Sequence, residues 1–476
     1  MKKYSGIELM ESAPVSTAIL RLAVPMMVGS VAQMIYNMTD TFFIGQTNDP
    51  NMVAGISLSM PLFMLSQGLG NIFAMGASSY MSRCLGAKRM DEAKRTNATA
   101  FWITLVMGII LTGVIVTLRE PVLHLIGTSE ITFPYANSYF TIISFFISFS
   151  MMGMCLGGAI RSEGASTAAM TSQMLGIVVN IVLDPIFILY FNWGVAGAAW
   201  ATVAGQTTGF IYCVLFYIRG KSVLSIHPRF FQPNKHMLKE VFKIGIPSAI
   251  SNVVFTFASV VSNVIAAGYG DFVVAGSGIS MRVTMLAFGL IMSLGFGFAP
   301  FAGFNYGARN LKRLSSGLRV TITYTTALAL FFMVVFFFFG RQMMMIFIRD
   351  EKTIDAGARM MRAFLIGLPT MGIQMTIMST FQALGKPIQS TVINLGRQFL
   401  VYLPLLFILN RLFGFTGFIY TQPISDIITT VVAVLFSISL FKNLHKTFSD
   451  AGLASGPSGV AGVSGVVEPS AVGISG

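Results

Sequence analysis

The run from Pro25 to Gly45, PMMVGSVAQMIYNMTDTFFIG, is apolar for long enough to cross a bilayer as a helix, which takes about 20 residues. Comparable runs recur along the whole chain, and only helices or closed barrels satisfy their own backbone hydrogen bonds in lipid. On this template the sequence predicts twelve spans, roughly 16–45, 52–83, 96–118, 133–159, 167–191, 195–219, 240–268, 272–304, 317–340, 357–383, 388–411 and 415–441. With 54% hydrophobic and 10% charged residues, the chain lacks the polar surface of a soluble globule. The expected class is an all-α polytopic membrane protein.

Charge then sets topology. The formal charge of +13 would suit nucleic acid, but its distribution follows the connections between spans. Lys2 and Lys3 precede the first span and Arg21 lies in its first turns; Arg83, Lys88, Arg89, Lys94 and Arg95 end or follow the second, and Arg309, Lys312, Arg313 and Arg319 fall between the eighth and the start of the ninth. The positive-inside rule places these clusters, and both termini, in the cytoplasm. No cleavable signal is visible after Lys2 and Lys3, so the first helix is expected to stay. Cys84, Cys155 and Cys213 all fall in apolar segments and read as small packers.

The chain also repeats itself. KIGIPSAISN at 243–252 parallels RLAVPMMVGS at 21–30, which sets Pro247 opposite Pro25. VAGISLSM at 53–60 parallels VAGSGISM at 274–281, and LGAKR at 85–89 parallels YGARN at 306–310. GVAGAAWATVAGQ at 194–206 parallels GFTGFIYTQPISD at 414–426. The expectation is a six-helix bundle over 1–219, a linker over 220–239, a second bundle over 240–445, and a tail over 446–476. The halves are then related by an axis along the membrane normal. The basic linker should lie at the cytoplasmic interface, with Asn234 capping the helix into span 7. The Gly-, Ser-, Ala- and Val-rich tail from Ser449 reads as disordered or foreign to the membrane domain.

Among 18 acidic residues, Asp40, Asp184 and Asp426 lie well inside spans, where an ionisable group is expensive and by default functional. Asp40 stands about five residues, roughly 8 Å, from the outer end of helix 1. Asp184 lies at similar depth in helix 5. Two buried like charges cannot both stay ionised unless a cation joins them, which is the behaviour of a coupling site. Tyr36 is four residues before Asp40, and Asn180 four before Asp184, so each pair shares a helical face. Thr202 on helix 6 would complete a shell of oxygen donors. Such donors suit H+ or Na+ and not a transition metal. Asp426 and Arg282 reach similar depth in the second half, and the simplest expectation is a buried ion pair. Pro25 and Pro247 are candidate hinges, because proline removes an intrahelical bond. The 31 Met and 42 Phe would wall a cavity suited to flat, greasy cations.

Taken with the repeat, AVPMM at 23–27, GLGN at 68–71, LGAKR at 85–89 and NIVLDPIFI at 180–188 resemble the multidrug and toxic compound extrusion (MATE) family. Within that family the MepA-like bacterial exporters are the nearest in pattern, and residues 10–445 fit throughout. The resemblance implies a V-shaped pair of six-helix bundles that exports cationic lipophilic drugs by antiport with H+ or Na+. It maps the family's cation site onto Asp40, Asn180, Asp184 and Thr202, with Gln33 and Tyr36 nearby, and its bending proline onto Pro25. Asn37, Gln206, Arg282 and Asp426 are further candidates for the substrate cavity. One departure stands out. Where some relatives carry acids in helices 7 and 10, this chain offers Ser, Thr and Asn in helix 7 and Gln374 and Gln382 in helix 10.

The expected protein is thus a bacterial cell-membrane exporter, monomeric, with cationic amphiphiles as its small-molecule partners and lipid around it. It needs no cofactor beyond H+ or Na+ and no nucleic acid. The rival readings are a flippase for a lipid-linked or polysaccharide precursor, which would want a strongly basic cavity, and a passive channel or receptor, which has no need of paired buried acids. An enzyme is the reading the residues favour least, since the spans show no nucleophile and base pair and no metal-ligand cluster, and His124, His227, His236 and His445 fall near loops.

Overall fold

A computed structural model describes residues 6–47 and 49–454, and among them there is helix and no strand. Lys2, Lys3 and the tail beyond Ala454 lie outside the described residues. Among the described residues, eleven helices are long and apolar enough to cross a membrane. The last of these covers Pro387–Lys446 in a single run of 60 residues that bends at Gly414, where φ is 57° and ψ is −137°. Two spans meet at that bend, so the twelve expected segments are all present.

The first half comprises α2 (Val15–Gly45), α3 (Pro50–Gly86), α4 (Met90–Thr117), a short α5 (Arg119–Ile126), α6 (Phe133–Ser162), α7 (Ser166–Pro185) and α8 (Gly194–Ile218). The second comprises α9 (Lys235–Ala267), α10 (Asp271–Gly297), α11 (Ala299–Gly307), α12 (Leu311–Phe347), α13 (Glu351–Ala383), α14 (Pro387–Leu395) and α15 (Leu403–Ala454). Within the first half α3 packs on α6, and α8 on both α6 and α7. In the second α13 is the central helix, flanked by α10, α12 and α15. Asn234 accepts from the His236 amide and caps α9, as its sequence position predicts. The helix α15 continues through Ala454, so the helical backbone runs past Ser449, where the sequence suggested a tail.

The repeat is written into the backbone. Lys88 (φ 60°) and Arg309 (φ 55°) both adopt the left-handed conformation, as do Gly164 and Gly385, and Gly194 and Gly414. Each pair is separated by 220 or 221 residues. A non-glycine residue there costs about 1–2 kcal/mol. At Lys88 it is offset by a helix-ending pattern, for the Arg89 amide reaches back 2.8 Å to the Cys84 carbonyl, satisfying a carbonyl that α3 leaves unpaired.

The two halves meet at the end of the molecule that carries these basic turns. One apolar core there draws Phe73, Met81, Cys84 and Leu85 from the first half and Phe298, Phe301, Phe304 and Leu314 from the second. Gly76 lies against the Val241 carbonyl, Gly245 against that of Ile72, and Gly86 against that of Phe304. At each of these glycines a methyl group would strike backbone. Arg83 clasps Glu240 across the seam, with both terminal nitrogens 3.1 Å from Oε2.

The sequence reading began the first helix near residue 16 and did not anticipate α1 (Gly6–Glu11), which lies across this end. Leu9 and Met10 are fully buried in the shared core. The Arg313 guanidinium donates from Nε to the Met10 carbonyl at 2.9 Å, and Gly6 packs on the Glu163 carbonyl. A six-residue helix is too short to stand alone in water; tertiary contacts hold it. The linker is equally tied down. The Asn97 amide donates to the Ser225 carbonyl at 2.9 Å and the Trp102 indole to that of Ile226 at 3.2 Å.

Candidate functional site

Helix α7 is the scaffold of the first-half site. Gly176 lies against the Gly205 backbone, so α7 and α8 approach closely and bring Thr202 beside Asn180. Pro185 follows Asp184 and donates no amide hydrogen. The chain continues as a π-turn over Ile186–Tyr190, in which the Phe191 amide bonds the Ile186 carbonyl at 2.9 Å. Such bulges are rare within helices and occur frequently at functional sites.

Asp184 is completely buried and Asn180 nearly so. The Asn180 amide donates to Asp184 Oδ1 over a long 3.5 Å. Asp184 Oδ2 and Asn180 Oδ1 are both buried without a partner. Two unsatisfied acceptors side by side are costly. A proton or a hard monovalent cation would satisfy both. Asp40, on α2, is partly exposed and lies within electrostatic reach of Asp184. The Thr202 hydroxyl sits against those of Tyr36 and Tyr139. The structure therefore gathers Asp40, Asp184, Asn180, Thr202 and Tyr36 in one place. It adds Tyr139 on α6, which the sequence reading missed because tyrosine in a span ordinarily marks an interface. Among the described residues no group of three or more His, Cys, Asp or Glu gathers to hold a metal, and the three cysteines are buried and free.

Below this cluster is a cavity of about 340 Å³, bordered by Gln33, Tyr36, Asn180, Thr202 and Gln206, within the usual range for small-molecule sites. Gln173 Nε2 donates to Gln33 Oε1 at 3.3 Å, and Gln33 Nε2 to Asn37 Oδ1 at 3.3 Å. This amide chain ties α2 to α7. Gln33 and Gln206 line the cavity as expected, while Asn37 is exposed and bonds to Gln33 on its wall. Pro25 is buried in α2 and Pro247 lies inside α9.

The second half departs from expectation. Asp426 does not pair with Arg282, whose side chain is exposed. Its Oδ1 takes the Arg397 Nε at 2.6 Å and the Gln422 amide at 3.0 Å. Arg397 lies in a π-turn over Gly396–Tyr402, one helical segment before Pro404. Depth along the helices made Arg282 and Asp426 look equivalent, but azimuth decides pairing, and Arg282 faces away. Arg397 was legible as an arginine inside an apolar run. Gln374 donates to Thr429 at 2.8 Å, which engages one of the two amides of helix 10 in packing.

Residues 25–186 and 247–408 each match the MatE family model. The multidrug export protein MepA of Staphylococcus aureus (strain NCTC 8325 / PS 47) is 29% identical over 425 residues, covering 89% of this chain and 94% of that protein. Among solved structures, the outward-facing conformation of a multidrug resistance MATE family transporter of the MOP superfamily superposes with a TM-score of 0.88 at 24% identity, over 94% of this chain and all of that one. A MATE in the bent conformation superposes with a TM-score of 0.86 at 25% identity, over 94% of this chain and 99% of that one. The doubled match spans both halves of the repeat, and with it this chain belongs to the MatE family of membrane transporters rather than to any enzyme class.

Proposed function

We propose that the chain exports cationic lipophilic drugs from the bacterial cytoplasm by antiport with H+ or Na+. The observation that carries this reading is the pair of partnerless oxygens, Asp184 Oδ2 and Asn180 Oδ1, held beside Asp40 at the head of a cavity of drug size. A cation binding there changes the charge that a positively charged ligand meets, and the two then exclude each other. The basic turns at Lys88 and Arg309 face the cytoplasm on this reading, so the sealed end is the inner one. Each half acts as a lobe, with the 220–239 segment as the linker between them. The coupling ion biases the lobes only by its differential affinity for the two states, a coupling of about 1–3 kcal/mol.

The test is ethidium efflux from proteoliposomes under a pH gradient and, separately, a sodium gradient, for wild type and Asp184→Asn. Efflux driven by either gradient and lost in the variant supports the antiporter and names the ion. No efflux under either gradient, with folded protein in the bilayer, overturns it.

A further inference from the structure

Arg161 stands where two cavities adjoin. It borders the first-half cavity and also a space of about 500 Å³ between the halves. Its guanidinium curls back toward Gly157, one turn nearer the membrane centre; a methyl group on Gly157 would sit 3.6 Å from Nη1. The side chain thus points along α6 into the protein and not out at the basic end. No carboxylate, carbonyl or hydroxyl among the described residues accepts a hydrogen bond from it. Glu163, two residues on, turns the other way, its Oε2 taking the Ser222 hydroxyl and the Val223 amide, each at 2.9 Å.

The second arginine of the inter-half space, Arg397, is neutralised by Asp426. No acid borders either cavity among the described residues; apart from the two arginines the walls are apolar side chains with Tyr, Ser, Thr, Asn and Gln. Arginine stays charged at all relevant pH and presents a fork that matches a carboxylate. Removing a guanidinium from bulk water without a counter-charge is costly. Among the described residues bordering these two cavities, Arg161 is therefore the cation without a protein counter-charge, and an anionic ligand group can supply one.

We infer that Arg161 forms an anion-accepting subsite that selects amphiphiles bearing a carboxylate, so that the favoured cargo is zwitterionic. Its carboxylate docks on Arg161, its apolar body lies in the first-half cavity on Phe63, Met154 and Phe210, and its cationic end points toward Tyr36, Asn180 and Thr202, beside the Asp40 and Asp184 cluster. The inference rests on the exporter reading for its cationic end, and supplies what that reading leaves out: a determinant for the ligand's other end.

The test compares a rhodamine methyl ester, a cation, with the same rhodamine as the free acid, a zwitterion. Binding of each to the full chain in lipid nanodiscs is followed by fluorescence anisotropy with no gradient imposed. The ratio of the two Kd values should shift toward the ester by about tenfold in Arg161→Gln, and by no more than about threefold in Arg161→Lys, which keeps the charge. Benzoate should displace the acid from wild type and leave the ester bound, which decides the matter without any variant. An unchanged ratio in a folded Arg161→Gln, failure of the acid to bind wild type, or equal displacement of both dyes overturns the inference. Because these are equilibrium measurements, loss of gradient-driven efflux with the ratio shift intact would sink the exporter reading alone.

Discussion

Arg397 and Asp426 are joined across α15 and the π-turn before it, Nε to Oδ1 at 2.6 Å, with both side chains almost wholly buried. Ser425 reinforces the join by donating to the Arg397 carbonyl at 2.9 Å. Removing one partner leaves the other charged and buried. Arg397→Gln and Asp426→Leu should each destabilise the protein by about 3–5 kcal/mol, seen as a fall in thermal midpoint in detergent. The double variant Arg397→Met with Asp426→Leu should recover most of that loss, while Arg282→Gln, at an exposed site, should be silent.

Asp40 and Thr202 test the coupling site from its two flanks. Asp40→Asn should abolish gradient-driven export at wild-type abundance in the membrane. Thr202→Val removes one hydroxyl and retains the carboxylates, so it should weaken coupling about 5- to 20-fold without abolishing it. Drug resistance in cells, normalised to protein level, reads both. Full activity in Asp40→Asn would reject the site.

The seam at the basic end rests on bare backbone contact. Gly245→Leu places a side chain where the Ile72 carbonyl lies, and no rotamer relieves a clash with backbone. The variant should favour separation of the halves there. Cys84 is a native reporter, since it is completely buried in the shared core. Its maleimide labelling, localised by mass spectrometry, should be at least about tenfold faster in Gly245→Leu than in wild type. Arg83→Ala, which removes the clasp on Glu240, should act in the same direction more weakly, by about 1 kcal/mol.

Glu163 lies between α6 and α7, outside the spans, and burial raises its carboxyl from the usual range to about 7. Ser222 and the Val223 amide oppose that shift and do not cancel it. A raised carboxyl holds its proton in the folded state where the unfolded chain has already released it. Its stabilisation is therefore complete below the unfolded pKa, near 4.5, and is lost as pH rises through about 7. Thermal stability of wild type should fall by about 1–3 kcal/mol between pH 5 and pH 8. Glu163→Gln, which stays neutral, should flatten that part of the profile.

Much of the architecture was legible in the chain. Apolar run length set the twelve spans, because lipid leaves a backbone no alternative to helix. The repeat in short strings such as LGAKR and YGARN reappeared as matched left-handed residues at Lys88 and Arg309. Gathering Asp184, Asn180, Thr202 and Asp40 needed only the cost of charge in lipid and a fourfold helical spacing. Tyr139, Gln173 and Arg161 escaped notice, since tyrosine, glutamine and a helix-end arginine carry no periodic signal that separates a cavity wall from packing.

Composition and one-dimensional spacing determined that this chain crosses a membrane as helices, in two similar halves, with acids at matched depth. Only the tertiary structure decided that Asp426 faces Arg397 and not Arg282, that α1 closes the basic end, and that Arg161 turns inward alone. The physical reason is that depth along a helix follows from residue count, whereas the direction a side chain faces depends on how each helix is rotated about its axis. Packing against neighbours distant in sequence sets that rotation.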